Sequence, residues 1–68
     1  MHKGVIKKMV ADKGFGFIKA EGREKDLFFH ATAVVDGLDF KSLREGEEVV
    51  FTIANTDKGD AAVEVDLA

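Results

Sequence analysis

The sequence predicts a small all-β protein, and three observations predict it. Apolar residues recur in short alternating segments, as where Val49, Phe51 and Ile53 alternate with Glu48, Val50 and Thr52; this is the period of a half-buried strand. Clusters of glycine and charge separate the segments, at Asp12-Lys13-Gly14, at Glu21-Gly22-Arg23-Glu24-Lys25 and at Glu45-Gly46. No apolar stripe with a helical period is long enough to pack a helix.

The elements follow in order. Residues 3–10 form the first expected strand, and the Asp12-Lys13-Gly14 turn leads to a second over residues 15–20. A charged turn then introduces a third strand over 26–30. Residues 31–46 are irregular, with a helical turn expected over 31–35 and a break at Asp36-Gly37. Residues 47–54 make the fourth strand, residues 55–60 a polar hairpin loop, and residues 61–67 a fifth strand with Val63 and Val65 inward. Five short strands leave unpaired edges, which closure into a barrel removes. The expected architecture is therefore a five-stranded antiparallel OB-fold barrel, with residues 1–68 as one domain. A chain this short buries only about 60% of the surface its unfolded form exposes, so the core is small.

Composition narrows the function. Without cysteine the chain has no disulfide framework, no Cys-based zinc site and no thiol catalysis. Wholly apolar runs reach only three residues, against the ~20 that cross a bilayer. The start of the chain has no apolar signal-peptide region, so no membrane association and a cytoplasmic location are expected. Ser42, the only serine, has no candidate base beside it, and His2 and His30 have no third ligand. Neither an enzyme nor a small-molecule substrate, a metal or a cofactor is expected.

Ten Lys and Arg against thirteen Asp and Glu give a net charge of −3. The charge is divided, however: residues 1–30 hold seven basic and four acidic side chains, residues 31–68 three and nine. Local potential rather than net charge steers a polyanion, so the acidic total does not exclude one.

The informative segment is Lys13-Gly14-Phe15-Gly16-Phe17-Ile18. On a strand Phe15 and Phe17 share one face and Ile18 takes the other. Ile18 is a natural core residue, which turns the two rings outward. On the third strand Leu27 and Phe29 take the core side and leave Phe28 and His30 outside. Phe15, Phe17, Phe28 and His30 then stand side by side on an exposed surface, with Lys7, Lys8 and Lys13 beside them. Contiguous exposed apolar groups mark binding surfaces. Rings flanked by ammonium groups suit single-stranded RNA or DNA, whose bases stack at ~1–3 kcal/mol each while phosphates meet the cations. Lys7 and Lys8 point opposite ways on an ideal strand, unless a bulge turns both outward.

These residues carry a resemblance to the bacterial cold-shock proteins, over nearly the whole chain. Lys13-Gly14-Phe15-Gly16-Phe17-Ile18 matches that family's first ribonucleoprotein motif, and Asp26-Leu27-Phe28-Phe29-His30 resembles the second. Gly4-Val5-Ile6-Lys7 resembles the opening strand, Leu43 to Val49 a following conserved stretch, and Lys58-Gly59 with Ala62 and Val65 the last hairpin. The resemblance implies a barrel that binds single-stranded RNA and DNA, melts RNA structure, and affects transcription termination and translation. It adds Phe40 and Lys58 to the expected binding residues, since the family places a stacking ring in the loop that holds Phe40. The chain departs from the pattern with Lys8-Met9-Val10 where Trp-Phe-Asn is usual, and with Ala31 where an aromatic follows the histidine. Met9 is adaptable enough to touch a base, and the missing rings imply reduced or altered affinity. The alternative function is a protein-interaction module using the same aromatic face. A monomer is the expected state, with a strand-swapped dimer as the alternative.

Overall fold

A computed structural model describes residues 1–57 and 59–68; Lys58, one of the expected binding residues, lies outside them. Five strands, β1 (His2–Val10), β2 (Phe15–Ala20), β3 (Leu27–His30), β4 (Glu48–Thr56) and β5 (Gly59–Leu67), close into a barrel in the order β1-β2-β3-β5-β4. Closure gives each strand two neighbours, the way a small sheet shields its edges. All pairings are antiparallel except β3 with β5, which run parallel where Phe28 faces Ala61. The chain beyond β3 prolongs that seam: Val34 bridges Val65, and the Val35 N–H donates to the Val65 carbonyl at 3.0 Å.

The expected strands are all present, with shifted ends. β4 and β5 run into the hairpin loop expected at 55–60, because Asn55 pairs with Asp60 and Thr56 with Gly59. Polar contacts help hold this end: Asn55 Nδ2 donates to Asp60 Oδ1 at 3.3 Å, and Thr56 Oγ1 to the Gly59 carbonyl at 2.6 Å. The expected helical turn is a single 3₁₀ turn, Ala31–Ala33, and a second covers Phe40–Ser42.

Inside the barrel lie Ile6, Ile18, Ala20, Leu27, Phe29, Phe40, Leu43, Val49, Phe51, Ala62 and Val65. Strands β1 and β2 meet closely at Gly4, where a Cβ would come within 2.6 Å of the Lys19 carbonyl oxygen. Alternation fails in β5. Val63 was expected inward, yet Ala62 and Val65 are the buried pair. The cause is a bulge: Val50 faces Asp66 and Thr52 faces Val63, so Phe51 opposes two residues, Glu64 and Val65. Glu64 takes the extra step with φ of 53°, and the side-chain phase reverses across it.

Candidate nucleic-acid interface

Sheet register builds the interface, because directly opposed residues share a face. Phe15 faces His30 and Phe17 faces Phe28 across β2 and β3, while Gly16 faces Phe29 on the core side. The rings form a triangle. Phe15 and Phe28 lie 5.5 Å apart between centroids, Phe15 and Phe17 5.8 Å, and Phe17 and Phe28 6.0 Å. Two of these contacts are edge-on, at 85° and 70°, the arrangement aromatic quadrupoles favour. The rings therefore shield one another: Phe15 and Phe17 are half-buried, and Phe28 is the outermost at 41% exposed.

Gly16 is required beneath the rings for a packing reason. A Cβ there would lie 2.7 Å from the Phe29 ring and 2.8 Å from the Lys8 carbonyl oxygen. The fully buried Phe29 fills the space a side chain would take.

β1 supplies the cationic border through a bulge. Ile6 pairs with Ile18 and Lys8 with Phe17, so Lys7 and Lys8 together oppose Phe17 and both are exposed. The ladder geometry freed at the bulge is taken up locally, where the Met9 N–H donates to Glu45 Oε2 at 3.2 Å. Beyond the bulge the phase is reversed. Met9 pairs with Gly16 and packs half-buried against the core, on the side away from the rings. Val10 pairs with Phe15 and joins the aromatic face instead, a residue sequence reasoning missed. Two adjacent lysines in a strand that must also bury Ile6 were the signal, since only a bulge keeps both in water.

Lys13 is exposed in the β1–β2 turn. His30 is exposed at the far side of the face and caps the following turn: its Nδ1 accepts the Thr32 N–H at 3.2 Å. That bond fixes the imidazole's orientation and, in the neutral ring, places the proton on Nε2. Ala31 is held by its N–H to the Gly14 carbonyl at 2.9 Å and contributes no ring. Phe40, expected to stack on a base, is 7% exposed and packs on Phe29 at 5.7 Å between centroids. Its burial follows from the Phe40–Ser42 turn, whose Asp39 cap accepts the Lys41 N–H at 3.0 Å and tucks the ring under the loop.

A groove of about 620 Å³ is lined by Lys3, Lys19 and Arg23 together with Glu21, Glu24 and Glu48. Its opposed charges cancel, and none of its described lining residues is aromatic. Among the described residues no cluster of three or more His, Cys, Asp or Glu could hold a metal, and no helix is long and apolar enough to cross a membrane.

Residues 2–68 match the family model described as the 'cold-shock' DNA-binding domain. The chain is 47% identical over 62 residues to cold shock-like protein CspI of Escherichia coli K12, spanning 91% of this chain and 87% of that protein. It is 46% identical over 66 residues to cold shock protein CspA of Staphylococcus haemolyticus, spanning 96% of each. A solved structure described as drosophila Unr CSD456 superimposes with a TM-score of 0.81 at 28% identity, covering 98% of this chain and 26% of that one. With its closed OB barrel and its ring-bearing β2 and β3, the chain belongs to the cold-shock domain family, whose members bind nucleic acid and are not enzymes.

Proposed function

We propose that the chain binds single-stranded RNA and DNA by stacking bases on Phe15, Phe17, Phe28 and His30, with Lys7, Lys8 and Lys13 on the phosphates. One observation carries this reading: three phenylalanine rings cluster within 6.0 Å of one another on the outer face of a barrel, bordered by two exposed lysines that a bulge turns outward. A duplex hides its base faces, so an aromatic surface of this kind favours unpaired strands. Trapping unpaired strands disfavours their refolding, which is the physical basis of an RNA chaperone acting on transcripts in the cytoplasm.

The test is anisotropy of fluorescein-labelled hexathymidine and hexauridine at two salt concentrations. A label is needed because the chain has no Trp or Tyr. Binding at micromolar or tighter Kd that weakens as salt rises is the expected result. The slope of log K against log salt should be about −2 if three lysines engage phosphates, at about −0.7 each for single strands. Absence of binding to a folded protein overturns the proposal. Salt-insensitive capture of a protein would instead assign the face to protein docking.

A further inference from the structure

A second feature lies beside the outermost ring, on the side away from Phe15 and Phe17. Here Phe28, Thr56, Asp60 and Ala61 line a cavity of about 390 Å³. Phe28 faces Ala61 across the parallel seam, so an aromatic ring and a methyl group make an apolar wall. The Asp60 carboxylate is a hydrogen-bond acceptor on the same cavity. It is held from two sides: Arg23 Nη2 donates to Oδ2 at 2.8 Å and Asn55 Nδ2 to Oδ1 at 3.3 Å.

A bare carboxylate at the edge of a nucleic-acid surface would repel phosphates. The Arg23 guanidinium, in the turn between β2 and β3, removes that net charge and fixes the β5 carboxylate 37 residues away in sequence. Each carboxylate oxygen has two acceptor positions, so among the described residues one on each oxygen remains after these contacts. What is left is an oriented acceptor pair beside a stacking ring.

From this arrangement we infer that the cavity is a base-reading subsite selective for guanine in a single strand. This rests on the stacking function proposed above and adds a specificity residue to it. The Watson–Crick edge of guanine carries two adjacent parallel donors, N1–H and the N2 amine, which match a carboxylate in the bidentate manner. Uracil and thymine present one N–H between two carbonyl oxygens, and those oxygens would face the carboxylate. Cytosine and adenine offer a single amine beside a ring-nitrogen acceptor. Only guanine satisfies both oxygens at once. Arg23 is a positioning residue here, acting through Asp60.

The test uses fluorescein-labelled heptauridine and seven derivatives with guanosine at each position in turn. One derivative should bind the unaltered protein roughly tenfold tighter than heptauridine, the lower part of the range for a bidentate base contact. Inosine at that position lacks the N2 amine and should lose most of the gain. Asp60→Asn keeps the shape but replaces one acceptor oxygen by a donor, and should bring the guanosine and uridine strands within about twofold. An unchanged circular-dichroism spectrum of the variant would show that the fold is intact. Equal binding of all eight strands by the unaltered protein, or a preference for guanosine that survives in Asp60→Asn, overturns the subsite alone. Failure of every strand to bind overturns the stacking face with it.

Discussion

Phe28 and Phe17 occupy different places in the same triangle, and their removal should read differently. Phe28 is the most exposed ring and touches both neighbours. Phe28→Ala should lower affinity for hexathymidine at least ~tenfold, within the stacking range of one base, with little loss of stability. Phe17→Ala should weaken binding as much, and because that ring is half-buried it should also lower the urea midpoint. Unchanged anisotropy titrations in both variants would exclude the face. Lys8 stands opposite Phe17 where the family usually carries a tryptophan. Lys8→Trp should tighten binding several-fold through an added ring, at about 1–3 kcal/mol per stacked base. It should also flatten the salt slope by about 0.7 as one phosphate contact is lost. Titrations at several salt concentrations separate the two effects. Gly16→Ala tests the floor of the site: a Cβ 2.7 Å from Phe29 forces the core to shift, and overpacking of this kind costs about 1–3 kcal/mol, readable by urea denaturation.

At the scale of elements, two bulges decide which residues reach water. In β1 the bulge presents Lys7 and Lys8 together and rotates Met9 inward. In β5 it exchanges Val63 for Ala62 as the inward residue and leaves Glu64 at φ of 53°. A left-handed backbone favours glycine, which has no Cβ to strain. Glu64→Gly should therefore raise stability by about 0.5 kcal/mol, after the entropy that glycine adds to the unfolded chain, while β-branched Glu64→Val should lower it. The urea midpoints of the two variants should move in opposite directions; movement in the same direction would show that φ is not what limits this position. The strands themselves were legible in the sequence, since alternation and glycine turns are local signals. The bulges were not, because a bulge is a mismatch between two strands and neither strand records it alone. Lys7-Lys8 announced one as an alternative, while nothing in Ala61 to Leu67 announced the other.

For the whole molecule, the division of charge along the chain becomes a division of surface. Lys7, Lys8 and Lys13 border the rings on β1 and its turn, whereas Glu48, Glu64 and Asp66 are exposed on β4 and β5. A bound strand meets only the native barrel, so it should stabilise it by RT ln(1 + [L]/Kd), about 2.7 kcal/mol at a hundredfold excess over Kd. In a domain this small each kcal/mol raises Tm by roughly 4–8 °C. Hexathymidine should therefore raise the Tm followed by circular dichroism by about 10 °C or more, and a Tm independent of oligonucleotide would argue against binding to the folded state. The amino-acid order alone determined the all-β class, the closed barrel, the core partners Ile18, Leu27 and Phe29, and the outward direction of Phe15, Phe17, Phe28 and His30. All of these follow from side-chain alternation within one strand and from the need to close an edge. Tertiary structure decided that Phe40 goes into the core, that Val10 replaces Met9 on the face, and that Arg23 meets Asp60 beside Phe28. Those outcomes depend on inter-strand register and on contacts between residues as far as 37 apart in sequence, and such relations exist only once the barrel has closed.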